Sequence, residues 1–418
     1  MVDTSIYWTS RMKKISINPS LQSSLSIYSL STATFLFPFT GAALHNILLF
    51  FTLAFYYFSQ KKITYFGVFK QSPTVKLGLI LFVYLFASTI WNNFDAQAIS
   101  ALAKYRIFIL IGFLAALLYS KQNLRIVYLS LTAGLILSLT SSYLIFFDIF
   151  PKPEGVWNSL SGRILHGLQM NVLLILVFHQ LFIKKKNQAI SSFLIITIIL
   201  NLIFIEPGRT SQLTMFTLIF LFFSSYLKSL SDTVSIRKKT LLLVLTLSVP
   251  LGLFYYSGNK VFDNSENLPI EISDVSLSTM SRSDVRFAYS INGLRLIEQE
   301  PIKGYGLGNV GNAYKKLKDA QISNGTADDY RATDNLHNQF LQIIAETGIF
   351  GGIIFTLFIF SILFIRQHVD VTTLGVFAIV FITSSVNSSF KDHGDSWVLL
   401  ILLSLFISQA VIAKTKSN

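Results

Sequence analysis

The chain has 418 residues, 52% of them hydrophobic and only 13% charged, with a mean hydropathy of +0.56. Soluble domains carry about 25% charged residues, so this composition excludes a soluble globular protein and points to a polytopic membrane protein. With no cysteine, disulfides, thiolate catalysis and Cys-ligated metals are excluded. The net charge of +13 belongs to membrane loops rather than to a nucleic-acid surface, because Lys and Arg accumulate on the cytoplasmic side of such proteins.

Arg11, Lys13 and Lys14 precede the first apolar run, and no small-residue cleavage site follows, so that run reads as an uncleaved span. Apolar runs lie near 25–43, 45–60, 76–92, 105–120, 126–148, 166–183, 188–206, 210–227, 240–257, 338–365, 371–388 and 396–413. Backbone groups in lipid must pair internally, so each run is expected to be a helix. The expected fold class is an all-α polytopic membrane protein with about 12 transmembrane helices. Three parts are expected: an N-terminal bundle over 1–257 with about nine spans, a polar loop domain over 258–337 that contains helices, and C-terminal spans over 338–418.

With a cytoplasmic N-terminus, the inside loops contain Lys61, Lys62, Lys70, Lys76, Lys121, Arg125, Lys184 to Lys186, Lys228, Arg237 to Lys239, Arg366, Lys414 and Lys416. The short outside loops hold far fewer: Lys152, Arg163, Arg209 and Lys391, with Lys104 and Arg106 at one boundary. This asymmetry puts both termini in the cytoplasm and the 258–337 loop outside, in a bacterium the periplasm. Arg163, Arg209, Arg286 and His337 therefore fall at the outer face, where an anionic substrate would give them a purpose.

His337 stands in DNLHNQFLQII, which reads as a helix start with Asp334 or Asn335 as N-cap and His337 in the first turn. The helix dipole there favours neutral imidazole, which can accept a proton near neutral pH; a capping or interfacial histidine is the plain alternative. Arg209 follows Glu206-Pro207-Gly208 in a tight turn between spans. Its fork can grip phosphate oxygens, or it can pair locally with Glu206. Arg286, with Arg282, lies in SRSDVRFAYSINGLRLI, an amphipathic segment whose basic residues suit either a substrate or a lipid surface.

KGYGLGNVG over 303–311 lacks the nucleotide-loop pattern and reads as a flexible connector, while Gly348, Gly351 and Gly352 read as helix-packing positions. His166, three residues after Arg163, is a candidate for the same cavity, His179 a packing residue, and Asp328, Asp329 and Asp334 a solvated loop. No cluster has metal-ligand spacing.

The block RFAYSINGLRLIEQEPIKGYGLGN, followed after a spacer by LHNQFLQIIAETGIFGG, resembles the O-antigen ligase family of lipopolysaccharide assembly. That family belongs to a superfamily with O-antigen polymerases and protein O-oligosaccharyltransferases. The specific likeness covers about a fifth of the chain, and the rest agrees in hydropathy alone. The resemblance implies a GT-C-type, inverting, metal-independent glycosyltransferase without a cofactor. Its donor would be an undecaprenyl-diphosphate-linked glycan and its acceptor a sugar hydroxyl of lipid A-core, both presented among membrane lipids at the periplasmic face of the bacterial inner membrane. It further implies that His337 is the family's periplasmic histidine, with Arg209, Arg286 and Arg163 on the diphosphate and Asn338, Arg282 and His166 in support. Glu206-Pro207-Gly208 departs from the small hydroxyl residues that relatives often carry before Arg209. The polymerase, joining lipid-linked repeats, is the rival within the superfamily. A lipid or glycan transporter or flippase is the rival outside it, disfavoured because few charges fall mid-span.

Overall fold

The computed structural model describes residues 19–58, 64–91, 95–152, 158–185, 187–229, 285–323 and 333–417. The 240–257 run and Arg282, Asp328 and Asp329 lie outside the described residues. The other predicted runs each fall on a helix. In chain order these are α1 (Pro19–Leu36), α2 (Ala42–Phe58), the short α3 (Thr64–Gln71), α4 (Pro73–Trp91), α5 (Ala96–Lys104), α6 (Ile107–Leu117), α7 (Lys121–Phe146), α8 (Arg163–Phe178), α9 (Gln188–Leu200) and α10 (Arg209–Ser229). After the undescribed stretch come α11 (Val285–Gln299), α12 (Val310–Ser323), α13 (Gln339–Ser361), α14 (Val371–Val386) and α15 (His393–Ser417).

Among the described residues, eight helical segments are long and apolar enough to cross a membrane: 73–90, 96–117, 121–146, 163–183, 188–205, 209–228, 339–364 and 393–415. Ala42–Phe58 and Val371–Val386 are apolar but shorter, and α1 is rich in Ser and Thr. Its hydroxyls stitch it to neighbours instead: Ser26 and Ser29 donate to Thr52 O and Leu48 O at 2.8 Å each, and Ser31 meets Ser130 at 2.5 Å. Small hydroxyl residues let apolar helices approach and pair where no water competes. The outward surface inverts the soluble pattern, with Phe50, Phe66 and Phe193 each more than 60% exposed, as expected of side chains that face hydrocarbon.

The core helix is α15. Buried residues make up 78% of its span, because its small residues admit close neighbours on several sides. Ser404 and Ser408 donate to Ile111 O and Leu118 O at 3.3 and 2.7 Å, which aligns α15 parallel to α6. Two further contacts set the ends of the bundle. His179, at the end of α8, meets Thr372 at the start of α14 at 3.1 Å. Asn338, before α13, donates to Ser385 O at the end of α14 at 2.8 Å. The starts of α8, α10, α13 and α15 and the end of α14 therefore share one end.

The glycine-rich stretch is pinned, correcting the expected flexible connector. Helix α13 breaks at Gly348 (φ 77), where a Cβ would run into Ile302 O. Ile349 N–H, which an unbroken helix would direct to Ala345 O, donates to Pro301 O at 2.9 Å. Ala345 O and Glu346 O then accept from Tyr305 and Gly306 N–H at 2.8 and 2.9 Å. Gly304 (φ 66) fits because any Cβ would lie 2.6 Å from Thr347 N. Above this junction α11 and α12 share a small core of Tyr289, Leu296, Val310 and Tyr314 with Leu336 and Ala345.

Candidate active site

His337 lies outside the helix. The N-cap of α13 is Asn338, whose Oδ1 accepts from Phe340 and Leu341 N–H at 3.0 and 3.1 Å, and not Asp334 or Asn335 as expected. Asn335 serves a tighter turn: its Oδ1 accepts the His337 N–H at 2.9 Å. This side-chain bond supports the left-handed backbone of His337 (φ 51), a region in which Asn, Asp and His are enriched. The half-buried imidazole stacks on Tyr289 of α11, centroids 5.6 Å apart and planes at 18°. The polar loop therefore delivers a helix directly onto the histidine. Arg286 stands one turn before Tyr289 on α11; its side chain lies outside the described residues.

Beneath His337 lies a buried polar cluster that periodicity did not reveal. Glu346 accepts from Tyr105 OH at 2.6 Å, Gln342 Nε2 at 2.7 Å and Lys391 Nζ at 3.1 Å. Lys391 also donates to Asp334 O at 2.8 Å, and Gln342 Oε1 accepts Leu336 N–H at 2.9 Å. Two backbone groups of the histidine loop are thus tied to a buried ion pair. Asn335 Nδ2 reaches the Asp392 oxygens at 3.1 and 3.3 Å. Burial pushes the Asp392 carboxyl up, against the pull of Asn335, His337, Lys391 and Lys104. The polar KDHGD stretch before the last span was the available signal for Lys391 and Asp392.

Arg163 and Arg209 are the first residues of α8 and α10, half-buried and exposed respectively. Arg163 approaches the Arg209 turn: a Cβ at Gly208 would lie 3.9 Å from Arg163 Cγ. Glu206 is 1% exposed. Burial pushes its carboxyl up, opposed by the Asn158 backbone, the Ser159 hydroxyl, Arg163 and Lys152. Arg163 is therefore an arginine acting on Glu206. Two residues along α8, Leu165 sits where a Cβ at Gly394 would lie 2.6 Å away, and Asp392, two residues before Gly394, reaches the histidine loop. The arginine turn and the histidine loop thus both border the start of α15. His166 is fully buried, its two ring nitrogens at 3.2 Å from Ser138 Oγ and 2.9 Å from Asn201 Oδ1. Asn201 opens a π-helical segment, Asn201–Ile205, that leads into the Arg209 turn, a geometry common at functional sites.

Residues 192–356 match the family model described as O-antigen ligase. The chain carries an O-antigen ligase family domain. The match includes Arg209, Arg286 and His337 and leaves out Arg163 and His166. No curated protein matches the chain. The matched domain supports the O-antigen ligase and polymerase superfamily, whose members are glycosyltransferase-like enzymes acting on lipid-linked glycans.

Proposed function

We propose that this protein is an O-antigen ligase that transfers a glycan from undecaprenyl diphosphate to a sugar hydroxyl of lipid A-core, with inversion and without a metal ion. The observation that carries this reading is the convergence of His337, Arg163 and Arg209 at one end of an apolar helical bundle, within and beside the family match. The acceptor oxygen attacks C1 of the donor sugar, and the bond from C1 to the diphosphate oxygen breaks, its electron pair leaving on the diphosphate. His337 takes the acceptor's proton as general base. Arg209, Arg286 and Arg163 balance the charge that grows on the leaving group, a service fixed guanidinium forks can give in place of a divalent cation.

The bias of Lys and Arg toward the opposite ends of the helices supports a periplasmic site and cytoplasmic termini in a bacterial inner membrane. Lys184, Lys185, Lys228, Arg366 and Lys414 all lie near the far end. The test is a deletion strain scored for surface glycolipid. Full-length polymer stranded on undecaprenyl diphosphate, restored by the wild-type chain and not by His337→Ala, is the expected result. Cores capped by a single repeat would instead make the chain a polymerase. Activity abolished by chelator and restored by a divalent ion would overturn the metal-free scheme.

A further inference from the structure

A second polar recess opens at the same end of the bundle, on the α2 side of α15. Its walls include Lys104, Arg106, Leu49, His393 and Trp397. Arg106 donates to Ala103 O at 2.8 Å and Asn46 Oδ1 at 2.6 Å. Both are neutral acceptors, and no carboxylate pairs with Arg106 among the described residues. Trp397 is 4% exposed and its Nε1 is buried, without an acceptor among the described residues. His393 Nε2 is likewise buried and unmatched. Behind them His45 stacks on both rings, at 5.8 Å from His393 and 5.6 Å from Trp397. The indole nitrogen can only donate, and native interiors seldom leave such a donor unmatched. Arg106 and an unmatched donor beside one recess lack the same thing, an anionic acceptor. Asp392 is within the electrostatic reach of Lys104, which leaves Arg106 as the uncompensated charge.

We propose that this recess binds the phosphate of a membrane lipid headgroup. Lipid is favoured over a free ion by the adjoining wall of α2, where Ile47, Phe50 and Phe51 are 52%, 66% and 44% exposed and offer acyl chains a surface continuous with the recess. The inference stands on the recess itself and does not require the transferase reading. Trp397→Phe removes the donor and keeps the ring stack. Lys104→Gln changes an exposed side chain and leaves the packing intact, so it serves if the first variant unfolds.

The test measures binding to the purified full-length chain in a phosphate-free detergent by native mass spectrometry. The probes are undecaprenyl phosphate, lipid A, diacylglycerol and inorganic phosphate. One or both phosphorylated lipids should bind, and each substitution should weaken that binding about tenfold, the size of losing one charge-assisted hydrogen bond. Which of the two binds identifies the source of the phosphate. Equal binding by wild type and both variants, or equal retention of diacylglycerol, overturns the proposal. Displacement of the lipids by inorganic phosphate at equal concentration overturns the lipid assignment. His337→Ala protein should bind like wild type, so a failed transfer assay and a failed recess remain separate results.

Discussion

Two ion pairs mark the two ends of the bundle, and they are built differently. Lys391 and Glu346 are 45 residues apart in sequence, with side chains 5% and 0% exposed. Arg366 and Asp370 are one helical turn apart and 19% and 41% exposed. The first pair joins separate helices and holds the backbone of the histidine loop through Lys391 and Gln342. The second joins near neighbours in sequence: Asp370 caps α14 by accepting Thr373 N–H at 2.7 Å, and Arg366 also donates to Gln409 Oε1 at 2.8 Å and lies over the Phe406 ring at 4.6 Å, both on α15. The fully buried pair with several partners therefore lies at the end where chemistry is proposed, while the far end carries a part-exposed pair, a helix cap and single polar contacts between helices.

The sharpest way to break the comparison is at His337. His337→Ala should lower transfer by about 100-fold or more in a reconstituted assay, with an unchanged melting temperature. An active, folded variant would remove the site from this end. Next in size, Lys391→Met should cost roughly 3–5 kcal/mol in detergent unfolding, toward the lower side because Tyr105 and Gln342 still donate to Glu346. Asp370→Asn should cost about 1 kcal/mol or less by the same measurement, an exposed pair and a cap being worth little. Equal losses at the two ends would erase the distinction.

The pH dependence of the far pair follows from its carboxyl. Burial pushes Asp370 up, but the Thr373 hydroxyl and N–H and the Arg366 charge hold it below the usual range. Its contribution is therefore complete above the unfolded carboxylate range and is lost as pH falls through the depressed folded value. Glu206 has the opposite sign. With a raised folded pKa, its ionised form costs stability at neutral pH, and that cost fades as pH falls into the ordinary carboxylate range. Glu206→Gln should thus raise the melting temperature slightly at neutral pH and not in acid; a rise that grows in acid would contradict the burial argument.

Apolar periodicity located the helices well because lipid-facing and core-facing residues are both apolar in long runs. It failed at breaks. The run expected at 105–120 begins earlier, as α5 and α6 meeting at Tyr105, whose ring is buried because its hydroxyl serves Glu346. The histidine turn misled for a chemical reason: Asn335 and Asn338 are both good caps, and only the tertiary contacts, Asp392 for one and Ser385 for the other, decide which of them starts the helix. His337 and the arginines were visible as cations at an unexpected face. Lys391 and Asp392 were visible only as a polar stretch before the last span, and Glu346 not at all, since pairing across dozens of residues leaves no local pattern.

The exchange of hydrogen bonds around Gly348 has a mechanical consequence. Segment 301–306 supplies the partners that α13 gives up at its break, so lifting that segment away would strand carbonyls where solvent is scarce. The α11 hairpin is thus riveted to a transmembrane strut and cannot swing as a free lid. An aperture for the proposed glycan donor would then open by tilting the strut and its rider together.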